Sequence, residues 1–478
     1  AEATDELMQI SQEVSPELSA LSSFITLSEP LFERIRQVWE VRESLQLDAE
    51  DLRLLERCYE GFSESGAQLP AEEKERLREV KRELSELSLT FGQNNLKDQQ
   101  RFRLFVDDAA AVEGLPHSTL AVARELAEKE GKGEGWLFTL SAPSYFPFMQ
   151  HCPSSALRQE MYLAKMAVGA AGDAYDNREL IRRLVNLRLE LAQLLGSKSF
   201  AEKVLARRMA GSTTAVYGLL DELLEAYKPL AEKELAAVAD FAREAGATLP
   251  LQPWDWSYWA ERYKQAFYEL DEEELRPYFE LSRVSDAIFS LATRLYGIHF
   301  TERTDLPVYH SDVHTYEADG SYLGLLYTDF FPREGKQSGA WMNNLQEQYH
   351  TAEGEDHRPH IVLVMNFTQP TADRPALLTP GEVRTILHEF GHSLHGMLST
   401  CRHGSLSGTN VVRDFVELPS QLMENWLDER EWLQSFAVHY QTSEALPEVL
   451  IERMERARHF LTGYAACRQL SFGYLDMA

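Results

Sequence analysis

The residues with the clearest chemistry are two histidines four positions apart with a glutamate next to the first: His388, Glu389 and His392. On a helix, side chains four residues apart lie on one face about one turn apart, so both imidazoles can reach a single metal ion. The glutamate does not ligate the metal in such a site. It lies beside the open coordination position, where a water needs a base. The spacing predicts a zinc-dependent peptidase with Glu389 as its catalytic base.

The flanking residues predict the helix that this spacing requires. Residues 379–382 read Thr-Pro-Gly-Glu, which supplies an N-cap, a proline at the first helical position and the glutamate of a capping box. Apolar residues then recur at helical spacing and form one stripe: Val383, Ile386, Leu387, Phe390, Leu394, Met397 and Leu398. At about 100° per residue, His388, Glu389 and His392 lie opposite this stripe. Histidines that face away from the core stripe favour metal binding over ordinary core packing.

A third protein ligand is expected from a second helix, over residues 411–426, which carries acidic side chains on one side. Glu417 fits this role because a residue from a second helix closes a tetrahedral site easily. His395 is the alternative, although a third ligand on the first helix would strain that geometry. Pro419 is expected to bend the second helix or to limit its first turn. The sequence thus predicts one Zn²⁺ per chain, held by His388, His392 and Glu417.

Three polar residues near Glu417 are candidates to orient the imidazoles: Asp414, Gln421 and Glu424 lie three, four and seven residues away from it. The alternative for each is an ordinary polar residue on the surface of a helix. The sequence alone leaves both interpretations open.

The residues around Glu417 also carry a family resemblance. Residues 406–410 (Leu-Ser-Gly-Thr-Asn), 413–421 (Arg-Asp-Phe-Val-Glu-Leu-Pro-Ser-Gln) and 424–426 (Glu-Asn-Trp) are similar to the signature block of the M3, thimet oligopeptidase-like, metallopeptidases. Further agreement lies in residues 251–255, 275–279, 338–342 and 366–368. Residues 406–410 are most similar to bacterial dipeptidyl carboxypeptidases, with the bacterial oligopeptidase A branch close behind. The resemblance is specific from about residue 250 onward and looser before it.

The resemblance implies a mainly α, two-lobed zincin-type metallopeptidase. A small β-sheet would lie next to the metal-site helix, and a deep channel between the lobes would restrict substrates to short peptides. The family's zinc ligands carry over to His388, His392 and Glu417, and its general base to Glu389. We divide the chain into an N-terminal helical region, residues 1–150, and an M3 catalytic region, residues 151–478.

Three functions remain distinct at this stage. The first is a dipeptidyl carboxypeptidase, which removes dipeptides from free C-termini. The second is an oligopeptide endopeptidase with the same metal chemistry, and the third is a catalytically silent peptide-binding scaffold. An intact set of ligands and base argues against the third.

Composition bounds the partners of the chain. Its 478 residues carry a formal net charge of −29, which argues against binding to nucleic acid or to anionic membranes, because both need basic patches. No apolar run reaches the length of a membrane span. Four widely spaced cysteines lack a metal-binding or disulfide pattern, which favours a reducing compartment. We expect a monomer in the cytoplasm, with the periplasm as the alternative, that acts on short peptides.

Periodicity predicts mostly helices. Residues 31–65, 71–98 and 116–131 are expected to be long amphipathic helices, and residues 155–247 continue with helices broken at 169–172 and 211–214. Strands are predicted at 313–317, 321–330 and 361–368, with Asp319-Gly320 as a hairpin turn. The edge of this sheet could pair with an extended substrate. Residues 338–341 and 403–410 are expected to be loops that line the cleft.

The end of the sequence carries a further expectation. In the M3 family a second donor to the oxyanion comes from a tyrosine-bearing, glycine-rich segment well beyond the zinc helices, and no matching segment occurs here. We expect that residue beyond Ala478, with the sequence a fragment that lacks a little at the front and more at the back. Residues 451–478 are expected to pack against the catalytic lobe. The 478 residues alone would then bind zinc and hydrolyse peptides poorly.

Overall fold

The computed structural model describes residues 3–319, 322–371 and 373–478. Helices make up most of these residues. The helices are α1 (Asp5–Thr26), α2 (Glu29–Glu40), α3 (Ala49–Glu64), α4 (Ala71–Arg101), α5 (His117–Lys129), α6 (Ala142–His151), α7 (Ser155–Met166), α8 (Arg178–Leu194), α9 (Phe200–Leu205), α10 (Thr213–Glu244), α11 (Pro253–Tyr268), α12 (Glu272–Leu275), α13 (Leu281–Tyr296), α14 (Pro380–Met397), α15 (Glu417–Glu424), α16 (Arg430–Phe436), α17 (Glu448–Ala457) and α18 (Thr462–Met477). The strands are β1 (Leu104–Val106), β2 (Trp136–Phe138), β3 (His299–Glu302), β4 (Val313–Asp319), β5 (Gly324–Asp329), β6 (Trp341–Gln346), β7 (Tyr349–His350), β8 (Asp356–His357) and β9 (His360–Val364).

The helix predicted over residues 31–65 is wrong as a single element. It is divided into α2 and α3 because the side chain of Asp48 accepts hydrogen bonds from the backbone N–H groups of Glu50 and Asp51. This N-cap begins a new helix and ends the continuity of the apolar pattern. The helices predicted over 71–98 and 116–131 are observed as α4 and α5, and the two predicted breaks within 155–247 separate α7 from α8 and α9 from α10.

Two large hydrophobic cores organise the molecule. The first lies around β1, β2, α6 and α7 and includes Leu104, Phe138, Phe148 and Met161. The second joins α13, the large sheet, α14, α16 and α17, and includes Val284, Leu326, Ile361, Phe390 and Leu433. The predicted mainly helical, two-lobed architecture is confirmed. The division at residue 150 stays a prediction.

Residues 451–478 pack against two parts of the protein, the second core and α10. Helix α17 contributes Leu450 and Ile451 to the second core. Helix α18 lies along α10 so closely that a Cβ on Gly463 would be 2.6 Å from the backbone nitrogen of Ala231.

The large sheet has the strand order β3-β4-β5-β9-β6. The predicted hairpin is observed as β4 and β5, which pair antiparallel from Val313 opposite Asp329 to Ala318 opposite Gly324. Of the predicted turn, Asp319 is instead the last residue of β4, and Gly320 lies outside the described residues, as does Ser321 at the start of the predicted second strand. Strand β9, which begins the region predicted at 361–368, pairs in parallel with β5 and antiparallel with β6. The sheet lies directly beside α14. A Cβ on Gly396 of this helix would be 2.7 Å from Cδ1 of Ile361 in β9.

Strand β6 forms one edge of this sheet and was not predicted. Its residues, Trp-Met-Asn-Asn-Leu-Gln, lack the alternation of apolar and polar side chains that marks a half-buried strand. Its register against β9 is irregular between Asn344 and Gln346. An edge strand leaves backbone groups on its outer side free to pair with another chain.

None of the helices within the described ranges combines the length and the apolar character needed to cross a bilayer.

Candidate functional site

The start of α14 is fixed by the predicted capping box. The Thr379 hydroxyl accepts from the Glu382 N–H at 3.1 Å, and the Glu382 carboxylate accepts from the Thr379 N–H at 2.8 Å. Pro380 occupies the first helical position, where its missing N–H costs nothing. Arg276, which is buried, lies with Nη1 3.4 Å from the Glu382 carboxylate and donates to the Leu377 carbonyl. These contacts set where the helix begins, and therefore which face each later side chain occupies.

Helix α14 buries the predicted apolar stripe in the second core. Val383, Ile386, Leu387, Phe390, Leu394 and Met397 are all buried. Leu398, the last member of the stripe, ends the helix as its C-cap and is 43% exposed. The opposite face carries His388, Glu389 and His392.

Helix α15 begins at Glu417, six residues later than the predicted helix over 411–426. The preceding residues bind other parts of the chain. The Asp414 carboxylate accepts from the Ala210 N–H at 3.0 Å, and the Asn410 side chain donates to Glu347 at 2.7 Å. Pro419 is the third residue of α15, so it lies in the first turn, as one of the two predictions for it states.

The two helices touch at Gly391, in the middle of the histidine motif. A Cβ on this residue would lie 2.6 Å from Cα of Ser420 and 2.7 Å from the Pro419 carbonyl oxygen. These neighbours are backbone atoms, which cannot turn aside as a flexible side chain does. Only glycine therefore lets α15 approach closely enough for Glu417 to reach the histidines.

We expect Gly391→Ala to destabilise the protein. The helix propensity of alanine favours the variant by about 1 kcal/mol. Overpacking against backbone costs typically about 1–3 kcal/mol or more, and this collision has no flexible partner. Thermal unfolding in the presence of a chelator measures the packing effect without a metal contribution. The matched control is Gly92→Ala in α4, where nothing lies within 4 Å of the added Cβ. It should be neutral or stabilising, and a Gly391→Ala protein as stable as this control would contradict the argument.

The structure brings the three predicted ligands together. Nε2 of His388 lies 3.2 Å, and Nε2 of His392 3.1 Å, from Oε2 of Glu417. One ligand atom from each residue lies within 4.8 Å of the others. Three electron-donating atoms at such separations repel each other unless a cation or a proton lies between them.

The donor set fits a zinc ion. Tetrahedral coordination with bonds of about 2.0–2.1 Å places neighbouring ligand atoms about 3.3 Å apart, close to the separations from Glu417. Burial lowers the pKa of His392, which favours the neutral imidazole that binds metals. The Ser420 hydroxyl, fully buried, donates to Oε2 of Glu417 at 2.9 Å and holds that carboxylate in place. These three residues could hold one metal ion.

Glu389 lies on the same face and is buried. Burial raises the pKa of its carboxyl to about 7, and the nearby Glu417 carboxylate adds to the rise. His388 and the backbone N–H of Met342, on the edge strand β6, lower the pKa and oppose this effect. The residue is therefore a carboxyl group in a dry environment that can both take up and release a proton near neutral pH.

Only one of the three predicted orienting residues contacts an imidazole. Oε1 of Glu424 lies 2.8 Å from Nδ1 of His388, on the side of the ring away from Glu417. Asp414 instead bonds the backbone at Ala210. Gln421 is exposed, and its backbone carbonyl accepts from the Asn425 side chain.

His395, the alternative third ligand, is not in the converging group. It lines a separate cavity between α14 and α15 with Tyr296, Leu398 and Leu422. Burial lowers the pKa of its imidazole.

The sequence missed two groups at this site, Ser420 and the N–H of Met342. A serine three residues after Glu417 on a helix is a signal that could have identified Ser420. Met342 could not be found, because its role depends on β6. Of the predicted cleft loops, residues 339 and 340 line a cavity beside the first turn of α14. The 403–410 loop packs against α14, since a Cβ on Gly408 would lie 3.0 Å from Cα of Gly396.

Comparisons with known proteins identify the family of this chain. The model of peptidase family M3 matches residues 148–478. The chain is 37% identical over 481 residues to the dipeptidyl carboxypeptidase of Escherichia coli strain K12, with 100% of this chain and 70% of that protein covered. It is also 37% identical over 479 residues to oligopeptidase A of the same organism, with 98% and 70% covered.

A crystal structure assigned to oligoendopeptidase F from Bacillus anthracis has the same fold. Its TM-score is 0.50 at 16% identity, and the likeness covers 98% of this chain and 71% of that one. The match over residues 148–478, together with relatives at 37% identity along the whole chain, shows that the chain belongs to peptidase family M3, whose members are metallopeptidases.

Proposed function

We propose that His388, His392 and Glu417 hold one Zn²⁺ and that Glu389 is the general base of peptide hydrolysis. The observation that carries the proposal is the convergence of three ligand atoms from two helices beside a buried carboxyl group. An imidazole pair with one carboxylate is a donor set found in zinc peptidases, and it leaves one coordination position open.

A bound Zn²⁺ would polarise the scissile carbonyl and make a neighbouring water more acidic. Glu389 accepts the proton of the attacking water on its carboxylate and then delivers it to the leaving amine. The Met342 N–H, on the edge strand β6, favours the ionised form of that carboxyl by lowering its pKa. Glu424 accepts from Nδ1 of His388, which directs the lone pair of Nε2 toward Glu417, where these residues would hold the metal ion.

The substrate class that we propose is short peptides with a free C-terminus, as for a dipeptidyl carboxypeptidase. The 37% identity to a protein of that name along the whole chain supports it. The test compares a peptide with its C-terminally amidated form. Cleavage that releases dipeptides from the free acid and fails on the amide supports the exopeptidase.

An oligopeptide endopeptidase is the second candidate, and the equal identity to oligopeptidase A favours it. In that case both forms of the peptide are cleaved at an internal bond, at similar rates. A catalytically silent scaffold is the third candidate. It would bind peptides and cleave neither form, even when loaded with zinc.

We expect Glu424→Ala to weaken zinc binding or activity by about 10–100-fold, the usual cost of removing a partner of a ligating histidine. The loss arises because Nδ1 of His388 no longer has a carboxylate that fixes the ring. Gln421→Ala, on the exposed side of the same helix, is the matched control and should change neither quantity. Zinc titration with a competing chelator measures the zinc affinity of both variants. Equal affinities in the two variants would show that Glu424 does not support the ligand.

The partners that we propose are short peptides, with a monomer acting in the cytoplasm. The net charge of −29 supports the exclusion of nucleic acid, since no excess of cations is available to neutralise phosphates.

A further inference from the structure

A cavity of about 400 Å³ opens beside the first turns of α14. It lies between α6, the middle of α11 with α12, and the residues at one end of the neighbouring strands β6 and β9, 339–340 and 366–368. Thr385 lines it and lies three residues before His388 on the same helix face, a rise of about 4.5 Å. Ala340 lines it two residues before Met342, on the strand β6 that packs beside α14. The cavity is therefore next to the proposed reaction centre, on the same face of α14.

The walls of the cavity are apolar on one side and acidic on the other. Pro143, Phe146 and Pro147 of α6 supply apolar surface, together with Phe367. Four carboxylates line the remainder: Glu261, Glu272, Glu273 and Glu382. A wall of this kind suits a long side chain with an aliphatic stem and a positive end.

Three of the four carboxylates are occupied by partners within the protein. Glu272 pairs with Lys264, and Glu273 pairs with Arg276. Glu382 belongs to the capping box of α14 and lies 3.4 Å from the same arginine. With all six groups ionised, four carboxylates face two cations, so the site carries a net charge of −2. His151 also lines the cavity, and burial lowers the pKa of its imidazole, which favours its neutral form.

Glu261 is the carboxylate with the weakest partners. Its side chain is 8% exposed, yet Nζ of Lys264 is 3.7 Å away and the amide of Gln265 is 3.5 Å away. Burial raises the pKa of its carboxyl to about 7, and the neighbouring Glu272 and Asp271 add to the rise while Lys264 opposes it. A cation that enters the cavity would relieve this desolvation and repulsion.

We propose that this cavity is a substrate subsite for an arginine or lysine side chain of the peptide, with Glu261 as the carboxylate that receives its charge. The proposal rests on the proposed function, because it assigns one specificity pocket to that reaction. The stem of the substrate side chain lies along Phe146 and Pro147, and the charged end reaches the acidic wall. The volume exceeds what such a side chain needs, so water accompanies it.

The experiment uses peptides that differ only at one position, arginine against the uncharged norleucine, with that position moved in turn along each side of the scissile bond. In the zinc-loaded enzyme we expect a higher kcat/KM for arginine at one position. In Glu261→Gln the arginine-to-norleucine ratio of kcat/KM at that position should fall about 10–100-fold, the range for losing a hydrogen bond to a charged group. Glu244→Gln, at an exposed site at the end of α10, removes the same charge away from the cavity and should keep the ratio.

A second variant keeps every contact of Glu261. Gln150→Lys places a permanent cation on the α6 side of the cavity and should also lower the ratio, by occupying the acidic wall. Ratios that are equal in the wild type, Glu261→Gln and Gln150→Lys at every position would overturn the subsite. Failure of the proposed function is distinguishable, since the wild type would then cleave neither the arginine nor the norleucine peptides.

Discussion

Replacing Glu389 with glutamine is expected to leave Zn²⁺ bound and to reduce peptide hydrolysis by about 10²–10⁴-fold. The carboxamide fills the same space on the face of α14 and cannot accept a proton from water. Glu389 contributes none of the three converging ligand atoms, so metal binding should persist in the variant. The measurement is kcat/KM for a short peptide, with the zinc content of the same sample determined by elemental analysis.

Glu244→Gln is the matched control for the loss of one negative charge, because Glu244 is exposed and lies at the end of α10, away from the site. It should retain activity and zinc. Near-normal hydrolysis by a zinc-loaded Glu389→Gln protein would remove Glu389 from the role of base.

Replacing Glu417 with alanine is expected to remove most of the bound zinc. The variant loses one of three protein ligands and the negative charge that offsets the metal. Partners that only orient a ligand are worth about 10–100-fold in affinity, so loss of a ligand itself should exceed that range. Zinc content after dialysis against a weak chelator measures the effect.

His395→Ala is the informative comparison, because it removes a histidine from the same helix without touching the converging group. It should keep its zinc. The opposite pattern, with zinc lost from His395→Ala and retained by Glu417→Ala, would show that His395 and not Glu417 is the third ligand.

The sequence predicts α14 well because the signals that define it are local. Thr379, Pro380 and Glu382 begin the helix within four residues, and the apolar stripe fixes which face is buried. Once those two facts are known, helical geometry places both histidines and Glu389 together on the other face.

What could not be predicted depends on distant parts of the chain. Strand β6 exists because it pairs with β9, although its own residues show no alternating pattern. The late start of α15 depends on Asp414, which binds the backbone of Ala210 about two hundred residues earlier. Asp48 divides a periodic apolar region because it is the N-cap of a new helix. This signal is local, but the apolar periodicity continues across it and predicts one helix. The cavity around Glu261 is assembled from six separate segments, none of which carries a motif for it.

The close contacts at the glycines of α14 fix the spacing between the helices at the proposed metal site. At Gly391 the backbone of α15 already touches the helix, and at Gly396 the 403–410 loop does so again through Gly408. The helices cannot move closer to compensate for a shorter acidic ligand, such as aspartate at 417. They cannot move apart without taking the carboxylate out of reach. Selection for a different metal in this scaffold would therefore have to act through the chemical type of the donors, because the distance between them is not free to vary.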